Sequence, residues 1–230
     1  MRRSVPKGLA LAVATAALVT ACSTSGGGSE GRLGQIKSKG EILVAGAVSI
    51  PLIISDASGN FSGLEHEMLG LFAKKLGVKL TMVPTSFDVV VSGLQTDKWD
   101  LVPALCRTPK RLEVIDFTTQ TTVDYKNQFY FKKDNPDLKD AKAFADINRP
   151  EVSVATNPGA AGYELLKSVA PNAEAKPFPG QGDAEILQQV LSDRADGAFV
   201  DWPIVASAIE RAHPGVFAFI PLYASSAYGM

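Results

Sequence analysis

The chain has 230 residues, 46% hydrophobic and 20% charged, and its 23 Lys and Arg against 24 Asp and Glu leave a net charge of −1. That balance excludes a basic surface built for a nucleic-acid backbone, and the length suits two compact bodies better than one core. Two cysteines (Cys22, Cys106) and two scattered histidines (His66, His213) supply neither a disulfide framework nor a ligand cluster, so no metal or cofactor is expected.

Arg2, Arg3 and Lys7 precede an apolar run over residues 8–19, and Val19-Thr20-Ala21 leads into Cys22. The run is shorter than the ~20 residues of a spanning helix and has the pattern of an export signal over residues 1–21. Residues 22–31 read as a flexible polar tether. From Arg32 strands and helices are expected to alternate. A strand over 42–45 follows Gly40, a turn covers Asp56-Ala-Ser-Gly-Asn60, and a helix over 63–76 carries Leu64, Met68, Leu71, Phe72 and Leu76 at helical spacing before Gly77. A strand over 78–83, a helix over 87–96 capped by Ser86 or Asp88, and a third strand over 100–105 complete the first series. A strand over 127–131 and a polar turn region lead to the second series. It has strands over 152–155, 173–176, 197–200 and 216–220, with helices over 160–169, 183–191 and 203–211. This alternation predicts an α/β protein with a mostly parallel sheet and helices on both faces, in two lobes.

Residues 100–117, DLVPALCRTPKRLEVIDF, hold the most informative pattern. Pro109 suits the first turn of a helix with Thr108 as its N-cap. Arg111 then sits among unpaired backbone donors at the positive end of the helix dipole, poor for helix stability but apt for an anion. A guanidinium grips a carboxylate with two parallel hydrogen bonds; the bland alternative is a solvated surface arginine.

Thr108, Pro109, Lys110, Arg111 and Asp116-Phe117-Thr118 resemble the GxTxTxxR…DFT/S segment of the amino-acid-type (family 3) solute-binding proteins of ABC importers, with Ala104 in the place of Gly and Cys106 in that of Thr or Ser. The resemblance extends from about Leu33 to Met230. It implies the two-lobe periplasmic-binding-protein type 2 fold, crossed twice by the chain, near residues 125–127 and 222–226. Lobe 1 would span 32–125 and lobe 2 126–224, with 225–230 returning toward lobe 1. Family members continue past the Tyr-Gly found here as Tyr228-Gly229, so the resemblance implies a first lobe truncated at the C-terminus. Small residues before a single Cys resemble a lipoprotein signal box, implying palmitoylation of Cys22, a membrane anchor and an extracytoplasmic place, in the periplasm or on the outer face. A plain signal peptide with an incidental Cys is the alternative.

In the second lobe, Asn157-Pro158-Gly159-Ala160-Ala161-Gly162 turns from a strand into a helix, where small residues let a ligand approach backbone N–H groups. It stands in the place of the family's GTT-type loop, with Ala160 and Ala161 replacing hydroxyls; an ordinary turn is the alternative. Asp193-Arg-Ala-Asp-Gly-Ala-Phe-Val-Asp201 resembles GRxDAxxxD, whose last Asp accepts the ligand's α-ammonium. Asp201 otherwise reads as the N-cap of the Pro203 helix, and Asp196 as structural. The side-chain pocket is expected around Ser49, Leu52, Phe87, Ala104 and Cys106, Phe87 serving as aromatic clamp or as core. Glu65 and Glu67 fill the acidic positions of GFDxD and read as scaffold. The implied function is the binding component of an ABC importer: a monomer that captures a free amino acid between Arg111 and Asp201 and delivers it to membrane permease subunits, with no reaction catalysed. The alternative is an enzyme resembling cyclohexadienyl dehydratases in residues 83–87 and 157–159. Against it, the helix after Asp201 begins Trp202-Pro-Ile-Val-Ala-Ser, without the carboxylate a general acid would need.

Overall fold

A computed structural model describes residues 31–123, 126–179 and 182–221. The expected export signal, Cys22, the tether, Tyr125 and the second crossing lie outside the described residues. Helix α1 (Arg32–Lys39), which the sequence reading missed, ends at Gly40 in the left-handed region and packs Ile36 inward. Its Arg32 reaches across to Asp100 (2.7 Å) and Asp97 (2.6 Å). Strand β1 (Glu41–Gly46) then runs parallel to β4 (Lys79–Pro84), from Glu41 opposite Lys79 to Gly46 opposite Pro84. Between them the short strands β2 (Ile54–Ser55) and β3 (Phe61–Ser62) form a hairpin. The Asp56 carboxylate closes it by accepting from the N–H groups of Ser58 and Asn60, as Asp does in turns.

Helix α2 (Leu64–Leu76) stops at Gly77, whose φ of 74° favours glycine. Its helical extent was legible, but not its orientation. Glu65, Leu69 and Ala73 are the buried residues, whereas Leu64, Met68, Leu71 and Phe72 are exposed. Helix α3 (Val90–Gln95) begins later than expected because the Ser86 hydroxyl donates to the Asp88 carboxylate instead of capping the helix. The expected third strand over 100–105 shrinks to a bridge between Leu101 and Val44. The Asp100 side chain takes the Leu43 N–H (2.8 Å) that a strand carbonyl would otherwise accept, and Ala104 at φ 51° leaves the extended region. Helix α4 (Pro109–Leu112) follows, capped as the sequence suggests: Thr108 Oγ1 accepts from Arg111 N at 3.3 Å.

The second sheet has five strands: β5 (Gln128–Lys132), β6 (Ser153–Thr156), β7 (Glu174–Pro177), β8 (Gly197–Val200) and β9 (Phe217–Pro221), ordered β7-β6-β8-β5-β9. Strand β6 is parallel to β7 and β8, while β5 is antiparallel to β8 and β9. Side chains alternate across β5, as a strand's period of two requires. Phe129 and Phe131 face a core with Ile147 and Leu166, from α5 (Phe144–Ile147) and α6 (Ala161–Val169). Tyr130 faces the other layer with Ile186, Val205 and Ile209, from α7 (Asp183–Leu191) and α8 (Pro203–Ala212). Each large side chain removed from water contributes ~1.5–3 kcal/mol, which makes this sheet a rigid base for its loops. Asp196 is structural, accepting from the N–H and hydroxyl of Ser153 and from Asn135.

Candidate functional site

A pocket opens between the half built on β1 and β4 and the half built on the five-stranded sheet, lined from the first by Ser49, Phe87, Ala104, Cys106 and Arg111, and from the second by Asn157, Ala160, Ala161, Tyr163, Asp183, Asp201 and Trp202 among others. Topology explains the second group. Strands β6, β7 and β8 are parallel, so their carboxyl ends emerge on one edge, and the junctions to α6, α7 and α8 gather there.

Arg111 is buried, only 7% exposed. Its guanidinium donates to the Cys106 carbonyl (2.7 Å) and to the Gly159 carbonyl (2.6 Å), the second bond spanning the two halves. Among the described residues it forms no ion pair. Five N–H donors on a fixed fork leave capacity beyond those two carbonyls. Gly159 sits at φ 85°, with Phe87 O and the Asp88 backbone so close that an added Cβ would lie 2.8 Å from Asp88 Cα. It therefore does not line the pocket as expected. It is one of the points where the halves touch, and its carbonyl holds Arg111. Ala160 is the N-cap of α6 with no side-chain cap bond, which leaves first-turn N–H groups facing the space Arg111 borders.

Asp201 ends the chain segment after β8. It is not the helix cap: Trp202 holds that position in α8. One carboxylate oxygen, Oδ2, accepts from Cys106 Sγ at 3.7 Å; the other, Oδ1, is buried without a hydrogen-bond partner among the described residues. Burial pushes its pKa from the ordinary 3.8 up to about 7, the charge of Asp183 pushes the same way, and Arg111 and the Cys106 contact oppose both. Asp183, first residue of α7, accepts from Ser49 Oγ at 2.7 Å. Its pKa is likewise raised, to about 6, mainly by burial, against the Ser49 hydrogen bond.

Ser49, Phe87, Ala104, Cys106, Arg111, Ala160, Ala161 and Asp201 thus come together, and Gly159 stands just behind them. Phe87 borders the pocket and packs beside Val90 and Trp99. Glu65 does more than cap: it accepts from Ala104 N at 2.6 Å and from the Thr122 hydroxyl, which holds Ala104 in its left-handed conformation at the pocket wall. The sequence reading missed Asp183, since an acid opening a helix reads as a cap. The signal was its position: like Asn157 and Asp201, it follows a strand of the parallel set.

An α/β molecule whose halves close over a buried cation and a half-satisfied carboxylate belongs to the class of clamp-like solute receptors. Residues 42–212 match the model of the bacterial extracellular solute-binding proteins, family 3, and the chain belongs to that family. The resemblance seen in the sequence and the two-lobe periplasmic-binding-protein type 2 fold are therefore confirmed. A crystal structure of an ancestral amino acid-binding protein, a precursor of cyclohexadienyl dehydratase, superposes with a TM-score of 0.70 at 31% identity, over 83% of this chain and 80% of that one. Membrane-bound lytic murein transglycosylase F of Yersinia pestis (strain Pestoides F) is 31% identical over 193 residues, 81% of this chain; the chain spans only 38% of that relative's length. The cyclohexadienyl dehydratase of Pseudomonas aeruginosa is 25% identical over 225 residues, covering 92% of this chain and 77% of the enzyme. Family membership implies a solute-binding role and an extracytoplasmic place. Among the described residues no helix is long and apolar enough to cross a membrane.

Proposed function

We propose that this protein is the substrate-binding component of an ABC importer, capturing a free amino acid by lobe closure and delivering it to a membrane permease, with Cys22 as its lipid anchor. The observation that carries this reading is the pairing within one pocket of buried Arg111, free of any ion pair among the described residues, with Asp201, whose Oδ1 has no partner there. Arg111 takes the α-carboxylate, helped by the first-turn N–H groups of α6, and Asp201 takes the α-ammonium. Each bond set is complete only with the halves together, so the ligand favours the closed state through differential contact. Desolvating charges costs several kcal/mol per ion unless each is well hydrogen-bonded, and the ligand's ends supply the missing partners. The kinship to an amino acid-binding ancestor at 31% identity supports the ligand class.

The enzyme reading has one observation in its favour. Asp183 and Asp201 have pKa values of about 6 and 7, near those a general acid needs at neutral pH, and a dehydratase covers most of the chain. Against it, the first turn of α8 carries no acidic residue. A thermal-shift screen against the twenty amino acids, prephenate and arogenate separates the two. A ligand at a hundredfold excess over its Kd stabilises by ~2.7 kcal/mol. The transport reading expects a shift with one or a few amino acids, lost in Arg111→Ala, and no turnover. Conversion of prephenate or arogenate would replace it with the enzyme.

A further inference from the structure

The pocket's charges do not balance for a simple zwitterion. Among the described residues its lining carries one cation, Arg111, and two carboxylates, Asp183 and Asp201. If the proposed function is right, on which this step rests, Arg111 and Asp201 are matched by the two ends of any amino acid. Asp183 is then left over, facing the same space with one oxygen bonded to Ser49. We propose that the pocket selects an amino acid bearing a second positive charge on its side chain, which Asp183 accepts.

Three features support this assignment. First, Asp183 and Asp201 sit on separate strand-to-helix junctions, after β7 and β8, and both border one cavity. Second, the open Oδ1 of Asp201, buried and unpartnered among the described residues, is taken by the α-ammonium, so that group does not also serve Asp183. Third, Asp183 lies close enough for its charge to raise the pKa of Asp201. Two neighbouring carboxylates repel unless cations come between them, and one guanidinium already committed to two carbonyls does not neutralise both. A neutral side chain leaves Asp183 desolvated and unpaired, or protonated. An acidic side chain adds a third negative charge. A cationic one is the only kind that brings the closed pocket to neutrality. Ser49 lies on the opposite half from Asp183, so its hydroxyl orients the Asp183 carboxylate as the halves meet.

The test is calorimetric titration of the purified protein with pairs that differ only in side-chain charge: L-arginine against L-citrulline, and L-lysine against L-norleucine. We expect the cationic member of at least one pair to bind at least tenfold more tightly at pH 8, where both carboxylates are ionised. In Asp183→Asn that ratio should collapse toward one while the neutral member still binds; Ser49→Ala, which leaves the carboxylate in place, should keep the ratio above one. Neutral members binding as tightly as cationic ones, or a ratio unchanged in Asp183→Asn, would overturn the charge assignment and leave the amino-acid reading standing. Failure of every amino acid to bind would remove both.

Discussion

Replacing Asp201 with Asn should make the ligand-free protein more stable at alkaline pH, although the residue is placed at the heart of binding. Raising a carboxyl from 3.8 to about 7 corresponds to ~4 kcal/mol of penalty on its charged form, at ~1.4 kcal/mol per pH unit. The penalty comes mainly from burial, with the repulsion of Asp183 added, and Arg111 offsets only part of it. Between about pH 4 and pH 7 the folded protein keeps a proton that the unfolded chain has lost, so wild-type stability falls as pH rises through that window. Asn has no proton to lose and keeps the shape. Urea denaturation of stripped wild type and Asp201→Asn should therefore give similar midpoints at pH 4. At pH 8 the variant should be ahead by ~2–4 kcal/mol, since part of the penalty persists in the burial of a polar amide. A variant less stable than wild type at pH 8 would mean that Arg111 attraction outweighs desolvation, and the account of a strained, waiting carboxylate would fail.

The other expectations concern closure and the pocket wall. Gly159→Ala places a methyl 2.8 Å from the Asp88 Cα across the cleft, at a φ of 85°. The backbone penalty is ~1–2 kcal/mol, but the obstruction acts only when the halves meet. Amino-acid affinity should drop at least tenfold, alongside the fall in urea midpoint that the backbone penalty brings, and unchanged affinity would contradict the closure scheme. Glu65→Gln presents an amide in place of the carboxylate that accepts from Ala104 N and Thr122. It should cost ~1–3 kcal/mol and weaken binding together, because Ala104 belongs to the pocket wall. Affinity should also depend on pH. An α-ammonium needs Asp201 ionised, so with a pKa of about 7 in the empty site the affinity should fall ~10-fold from pH 8 to pH 6, with proton release on binding below pH 7. Flat affinity over that range would place the ammonium elsewhere.

Local chemistry made much of this molecule legible before any coordinates. Thr108-Pro109 announced a capped helix start, Gly77 a helix end, and Asp56 to Asn60 a turn, because each rests on backbone requirements of a few adjacent residues. Helix α7 and strand β8 fall where periodicity placed them. What escaped depends on partners distant in sequence. The strand expected at 100–105 shortens to a bridge at Leu101, beside which the Asp100 side chain takes the Leu43 N–H, and Leu64, Met68, Leu71 and Phe72 of α2 turn outward while Glu65 turns in. Gly159 looked like a ligand-facing turn, yet it is a contact with Phe87 and Asp88, some seventy residues earlier in the chain. Asp183 was hidden for the same reason. Its helix-opening position was plain, but only the parallel order of β6, β7 and β8 brings it beside Asp201.

The account stands on Arg111 reading a carboxylate. The most direct measurement is calorimetry with the amino acid that gives the largest thermal shift, set against the amine formed by removing its carboxyl group. The account predicts that the amine binds at least a hundredfold more weakly to wild type, and that Arg111→Ala lowers affinity for the amino acid to about the same level. Equal binding of the two compounds would contradict it.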